Sequence, residues 1–107
     1  MTITASARAQ ARVSEEPGAP KELSLGSNYP NPFNPVTVIP YGVAERSRVR
    51  ISVYDLLGRE VALLVDEAVS AGRYEALWDA SRLPTGVYVV RLEAGSEVRT
   101  QRVTLMK

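Results

Sequence analysis

The side chains that most often carry catalysis are missing here: the 107 residues include no His and no Cys. The commonest general base and metal ligand is therefore absent, and thiol nucleophiles, disulfides and thiolate metal sites are excluded. None of the serines has a base nearby in sequence or a strand-turn-helix setting, so nothing marks a hydrolytic nucleophile. Asp55, Asp66, Glu67 and Asp79 are the carboxylates placed where a cation could gather ligands. Their spacing matches no calcium loop, and Asp is expected at turns because it bonds its own backbone. Gly58 and Gly95 fall in tight turns, with no glycine-rich loop ahead of a helix. The residues predict no enzyme, no cofactor and no metal site, which moves the search for function to surfaces and partners.

Charge and length narrow those partners. The formal net charge is +1, and eleven of the thirteen basic residues are Arg, leaving only Lys21 and Lys107 as Lys. Such a balance argues against an extended surface for nucleic acid or for an anionic membrane. No apolar run approaches the roughly 18 residues of a membrane span. Residues 1–5 lack the basic start and apolar core of a signal peptide, so the chain reads as cytoplasmic or as a piece of a longer precursor. With 45% hydrophobic residues, it can build one small monomeric domain around a single core.

The elements that would position any surface are short strands. Residues 1–22 carry Pro17, Gly18 and Pro20 without a sustained period, and read as a flexible linker ahead of a folded domain over 23–107. Residues 23–25 alternate as a short first strand. In Tyr29-Pro30-Asn31-Pro32-Phe33-Asn34-Pro35 three prolines fix φ, the asparagines favour turns, and Tyr29 and Phe33 are expected to anchor a rigid corner to the body. Val36–Val43 places Thr37, Ile39, Tyr41 and Val43 on one face, and Pro40 suggests an edge or a bulge. Val49, Ile51 and Val53 face inward from the clearest strand, with Arg48, Arg50 and Ser52 outward. A turn at Tyr54-Asp55-Leu56-Leu57-Gly58-Arg59, with φ > 0 expected at Gly58, returns the chain over 60–65 with Val61, Leu63 and Val65 on one side. Residues 68–72 read as a loop. Tyr74, Ala76 and Trp78 then share a face, and Trp78 is the expected centre of the core.

Residues 86–107 form the segment expected to carry function. Val, Tyr and Thr are dense on both arms around Ala94-Gly95-Ser96, predicting a hairpin whose last strand runs to the final residues. Because Val98 and Thr100 fall on one parity and Val103 and Leu105 on the other, a bulge near Gln101 is expected. The total is about seven short strands with almost no helix, an all-β, antiparallel immunoglobulin-like sandwich without the disulfide.

The ordered set of Tyr29-Pro30-Asn31-Pro32-Phe33-Asn34-Pro35, residues 53–61, Ala71-Gly72-Arg73-Tyr74, Trp78-Asp79 and Leu83-Pro84-Thr85-Gly86-Val87-Tyr88, with Arg91-Leu92 and Lys107, resembles the type A C-terminal sorting domain of the type IX secretion system of Bacteroidetes. The resemblance covers roughly residues 23–107. It implies a transport address: a fused N-terminal cargo crosses the periplasm, the outer-membrane translocon passes it to the cell surface, and a sorting peptidase removes the domain. On this reading Gly86, Tyr88, Arg91, Leu92, Gly95, Leu105 and Lys107 carry the sorting signal. Tyr29 to Pro35, Tyr54, Asp55, Gly58 and Trp78 build the fold. Two other readings stay open: a structural module of flagellar hook-capping type, and a carbohydrate-binding module, which would need a row of exposed aromatics. The Pro-Gly composition before the domain predicts that limited proteolysis with mass measurement finds its first cuts between Val13 and Asn28. First cuts within 66–72 would count against that linker.

Overall fold

The structure, a computed structural model, describes residues 9–11 and 20–107. The linker expected over 1–22 therefore lies largely outside the described residues; of it, Ala9–Ala11 (β1) is a strand. The remaining strands are Ser24–Leu25 (β2), Val36–Val43 (β3), Ser47–Tyr54 (β4), Glu60–Val69 (β5), Gly72–Asp79 (β6), Gly86–Ala94 (β7) and Glu97–Leu105 (β8). They pair antiparallel in two four-stranded sheets, β1-β6-β3-β2 and β5-β4-β7-β8. The all-β sandwich expected from the alternating pattern is thus the observed fold, and β2–β8 are its seven strands within 23–107.

Alternation reads correctly wherever the register is unbroken. β3 buries Thr37, Ile39, Tyr41 and Val43, and β6 buries Tyr74, Ala76 and Trp78. Pro40 lies in register with Glu75 of β6, and its carbonyl accepts Gly26 N–H at 2.8 Å on the opposite side, beside the short strand β2. A residue's N–H and C=O leave a strand on the same side. The missing donor of Pro40 therefore faces the thin flank of the sheet and costs no bond to β6.

Four expectations about the strands need correction. β5 buries Ala62, Leu64 and Val65, while Val61 and Leu63 are half-exposed. Its register against β4 slips between Ile51 and Ser52 and again between Val53 and Tyr54, so each extra residue reverses the inward parity. The bulge expected near Gln101 is absent: β7 and β8 stay in register from Gly86↔Leu105 to Ala94↔Glu97. The mismatch is resolved by leaving Val98 outside, 42% exposed. Ser52, expected outward in solvent, is fully buried, with its hydroxyl 3.4 Å from the Tyr54 hydroxyl. Finally, β5 continues to Val69 and β6 starts at Gly72, which shortens the loop expected over 68–72.

Trp78 is the largest fully buried side chain, packed between the Phe33 ring at 5.1 Å and the Tyr88 ring, edge-on, at 5.9 Å. These contacts join β6 of one sheet to β7 of the other and to the Asn-Pro segment. Aromatic pairs of this kind contribute about 0.5–1.5 kcal/mol each beyond the area they bury. Trp78→Ala should therefore cost about 3–5 kcal/mol in denaturant unfolding, a large share of the ~5–15 kcal/mol typical of a whole domain. An unchanged unfolding midpoint would show that Trp78 is not the keystone of the core.

Candidate functional site

The β7–β8 hairpin is built around a two-residue turn, Gly95-Ser96. Gly95 has φ = 60° and no non-glycine residue among the described residues has positive φ, the sign pattern of a type II′ turn with glycine first. Behind the turn, Tyr88, Val90, Leu92 and Ala94 of β7 and Val103 and Leu105 of β8 point into the core.

At the other end of the sandwich, the chain's last residues are held by segments distant in sequence. Phe33 adds to the outer side of β8: its N–H donates to the Thr104 carbonyl at 3.0 Å, and its carbonyl accepts Met106 N–H at 2.9 Å, a parallel bridge to Leu105. Thr104 N–H donates to Asn31 Oδ1 at 3.2 Å, so this asparagine serves the last strand and not the local turn expected of it. Lys107 folds back on the loop before β7, its N–H donating to Thr85 Oγ1 at 3.0 Å and its ammonium to the Ser81 carbonyl at 2.7 Å. In the same loop the Tyr88 hydroxyl donates to the Pro84 carbonyl at 2.5 Å. Burial, then the nearby Asp55 charge, hold that phenol above the usual tyrosine range.

The Asn-Pro segment is itself braced from inside. Asn28 Nδ2 donates to Thr37 Oγ1 at 3.1 Å and to the Pro30 carbonyl at 3.2 Å, and the Thr37 hydroxyl donates to that carbonyl at 3.0 Å. Asn28 is given no role from sequence, and Thr37 only a place on one face of β3. A threonine on the inward parity of β3 was the available signal, since a buried hydroxyl must find a partner. Phe33 anchors the segment as expected, but Tyr29 does not: it is 50% exposed, and its hydroxyl donates to Glu75 at 2.6 Å.

The turn between β4 and β5 lies at this same end, because Tyr54 pairs with Val89 near the start of β7. Asp55 closes it: Oδ1 accepts the N–H groups of Leu57 and Arg59 at 2.9 and 3.0 Å, and Oδ2 accepts Arg59 Nε at 2.8 Å. The bond from the Arg59 backbone, ahead of the other contacts, holds the Asp55 carboxyl below the usual range. Gly58 supplies the left-handed position, with φ = 85°.

Residues 30–35, 55–59, 80–86 and 104–107 thus meet at one end of the sandwich, and Gly95 lies at the other. Of the residues expected to carry a sorting signal, Tyr88, Leu92 and Leu105 are buried, Gly86 and Arg91 half-buried, and Gly95 and Lys107 exposed. They form no single exposed patch. The aromatic row that sugar binding needs is also missing from the described surface, since Phe33, Tyr41, Tyr74, Trp78 and Tyr88 are all buried.

An immunoglobulin-like sandwich closed at one end by its own terminal strand is a folded module whose exposed features are backbone edges, turns and a clasp. Residues 27–106 match the family model of the secretion system C-terminal sorting domain, and the chain belongs to that family. The domain is a C-terminal sorting signal of type IX secretion, and its membership implies a fused cargo and export toward the cell surface. No curated protein and no solved structure matches the chain.

The turn at Gly95 yields a clean test of local strain. A Cβ there meets nothing within 4 Å, so any cost of substitution comes from the backbone alone. Gly95→Val should lose about 1–2 kcal/mol, whereas Gly95→Asn should lose clearly less, because Asn tolerates the left-handed region. Equal losses in thermal unfolding would mean that the turn relaxes to another conformation.

Proposed function

We propose that this domain carries a cargo fused N-terminal to it through the periplasm to the outer-membrane translocon of the type IX system, and that a surface sorting peptidase then cuts in or beside the linker expected over 1–22, between Val13 and Asn28. The observation that carries this reading is the match of residues 27–106, nearly the whole folded part, to the sorting-domain family. The clasp supports it: the segment assigned to sorting is held in one conformation by bonds from Asn31, Phe33, Ser81 and Thr85. A partner that must find this end behind many cargoes benefits from a surface ordered before contact, since less ordering entropy is lost on binding. The domain acts as a monomer, and Lys107 belongs to the surface that is read.

The test is fractionation of a reporter bearing a signal peptide and this chain, in a host with the secretion system. The intact fusion should reach the surface. Deleting Lys107 removes two exposed hydrogen bonds, and should lower stability by no more than about 1 kcal/mol. It should nevertheless leave precursor in the periplasm. Phe33→Ala should fail in both folding and export. An intact fusion that stays in the periplasm would overturn the reading, and normal export without Lys107 would move the signal to another face.

A further inference from the structure

The backbone of β8 can be phased from its last residues. Thr104 turns both of its polar groups away from β7, donating to Asn31 Oδ1 and accepting from Phe33 N–H. Alternate residues of a strand aim their N–H and C=O groups the same way. Val98, Thr100 and Arg102 therefore also face away from β7. β8 ends its sheet, and the Asn-Pro segment pairs only with the strand's last residues. Over residues 98–102, no described backbone pairs with this edge: the Val98 carbonyl accepts Arg99 Nη1 at 3.0 Å, β2 packs beside the strand, and the outward groups of Thr100 and Arg102 have no hydrogen-bond partner among the described residues.

The two edges of this sheet are treated differently. β5 carries two register slips and the exposed acids Asp66 and Glu67, devices that discourage a further strand. β8 is regular along its whole length, contains no Pro and no Lys, and exposes Val98. An edge in unbroken register, with outward backbone groups open at Thr100 and Arg102, is the kind to which extended peptides add.

Charge indicates what would add. Of the arginines on the strands of this sheet, Arg48 pairs with Asp66 at 2.9 Å, Arg50 with Glu60 at 3.2 Å, Arg91 with Glu93 at 2.9 Å and Arg99 with Glu97 at 3.7 Å. Arg102 is exposed and has no carboxylate partner among the described residues. It shares a sheet face with Thr100 and Val98. An incoming strand would meet an apolar group, a hydroxyl and an unpaired cation in turn.

We propose that residues 98–102 of β8 are a docking edge for an extended acidic segment of the export machinery, which adds as a further strand with a carboxylate opposite Arg102. The proposal rests on the sorting reading above and names the chemistry of its partner. A second copy fits less well: antiparallel pairing of two β8 strands about Thr100 would set each Arg102 against a Val98 and leave the cation unpaired.

The probe is a short synthetic peptide with capped ends, alternating Thr and Val around one central Glu, compared with the same peptide carrying Lys instead. Amide exchange is followed by NMR on the labelled full chain. With the Glu peptide in about tenfold excess over its Kd, exchange at Val98, Thr100 and Arg102 should slow by about tenfold. Arg99 and Gln101, already bonded to β7, should not change. The Lys peptide should bind about fivefold more weakly, the size of an exposed charge pair. Thr100→Pro removes an outward N–H and no bond to β7, so it should abolish binding. Arg102→Glu, which needs no change of backbone, should reverse the preference between the peptides. No protection at millimolar peptide, or equal binding of the two peptides, overturns the proposal. Protection that appears on concentrating the chain alone assigns the edge to a second copy and also overturns it. In the export assay, normal export of an Arg102→Glu fusion overturns the docking edge and leaves the sorting reading standing. Failure of the intact fusion overturns the sorting reading itself.

Discussion

Phe33 is the contact on which this sandwich depends. Its backbone extends the sheet that ends in β8, while its ring packs on Trp78 from the opposite sheet. No disulfide ties the two layers together, so the link must come from burial and hydrogen bonding. Full burial of a phenylalanine contributes about 1.5–3 kcal/mol, and the tilted Trp contact adds to it. The two backbone bonds to Thr104 and Met106 fix direction rather than supply most of the energy, since a typical net hydrogen bond is worth about 1 kcal/mol. Because ring and backbone belong to one residue, Phe33 couples the opposite layer directly to the last strand, beside the Trp78–Tyr88 contact that also joins the sheets.

The Asn-Pro segment can do this because it is stiff. Its three prolines limit φ and withhold three donors that would otherwise need partners at an exposed corner. What the prolines leave unsatisfied is taken up from within. The Pro30 carbonyl accepts from both Asn28 and Thr37, and the Pro35 carbonyl accepts Ala80 N–H at 2.8 Å. Each bond reaches a different strand or loop, so the segment is triangulated and not merely packed.

How much of this was legible in the sequence depends on the range of the interaction. The buried faces of β3 and β6, the φ > 0 position at Gly58 and the tight turn at Gly95 follow from local alternation and turn chemistry, and the structure has them as expected. The inward face of β5 was misread because a bulge is a property of two strands, and nothing in residues 60–65 alone says where β4 will slip. The same limit explains β8. Its broken parity suggested a bulge, whereas the fold leaves Val98 outside at the sheet's edge, where exposure costs little. Asn31 was read as a turn former from its neighbours, and its true partner lies 73 residues away in Thr104. For the candidate sorting residues, the motif could not say which of them the core would bury.

That division has a physical consequence for how such a signal can work. Tyr88, Leu92 and Leu105 cannot be touched while the domain is folded, so their part in any signal is to hold the strands in place. What stays exposed near the candidate residues is the clasped end, the turn at Gly95, and the outward backbone of β8 at Thr100 and Arg102. Backbone groups are the same whatever side chains a strand carries, so an edge can be bound with modest demands on sequence. Specificity must then come from the few side chains that flank it, and from the charge that the rest of the sheet has left without a partner. In this domain that charge is Arg102, on the strand whose far end Phe33 and Asn31 already occupy. The clasp thus occupies the outward groups of Thr104 and Met106, and so sets where an added strand would have to stop.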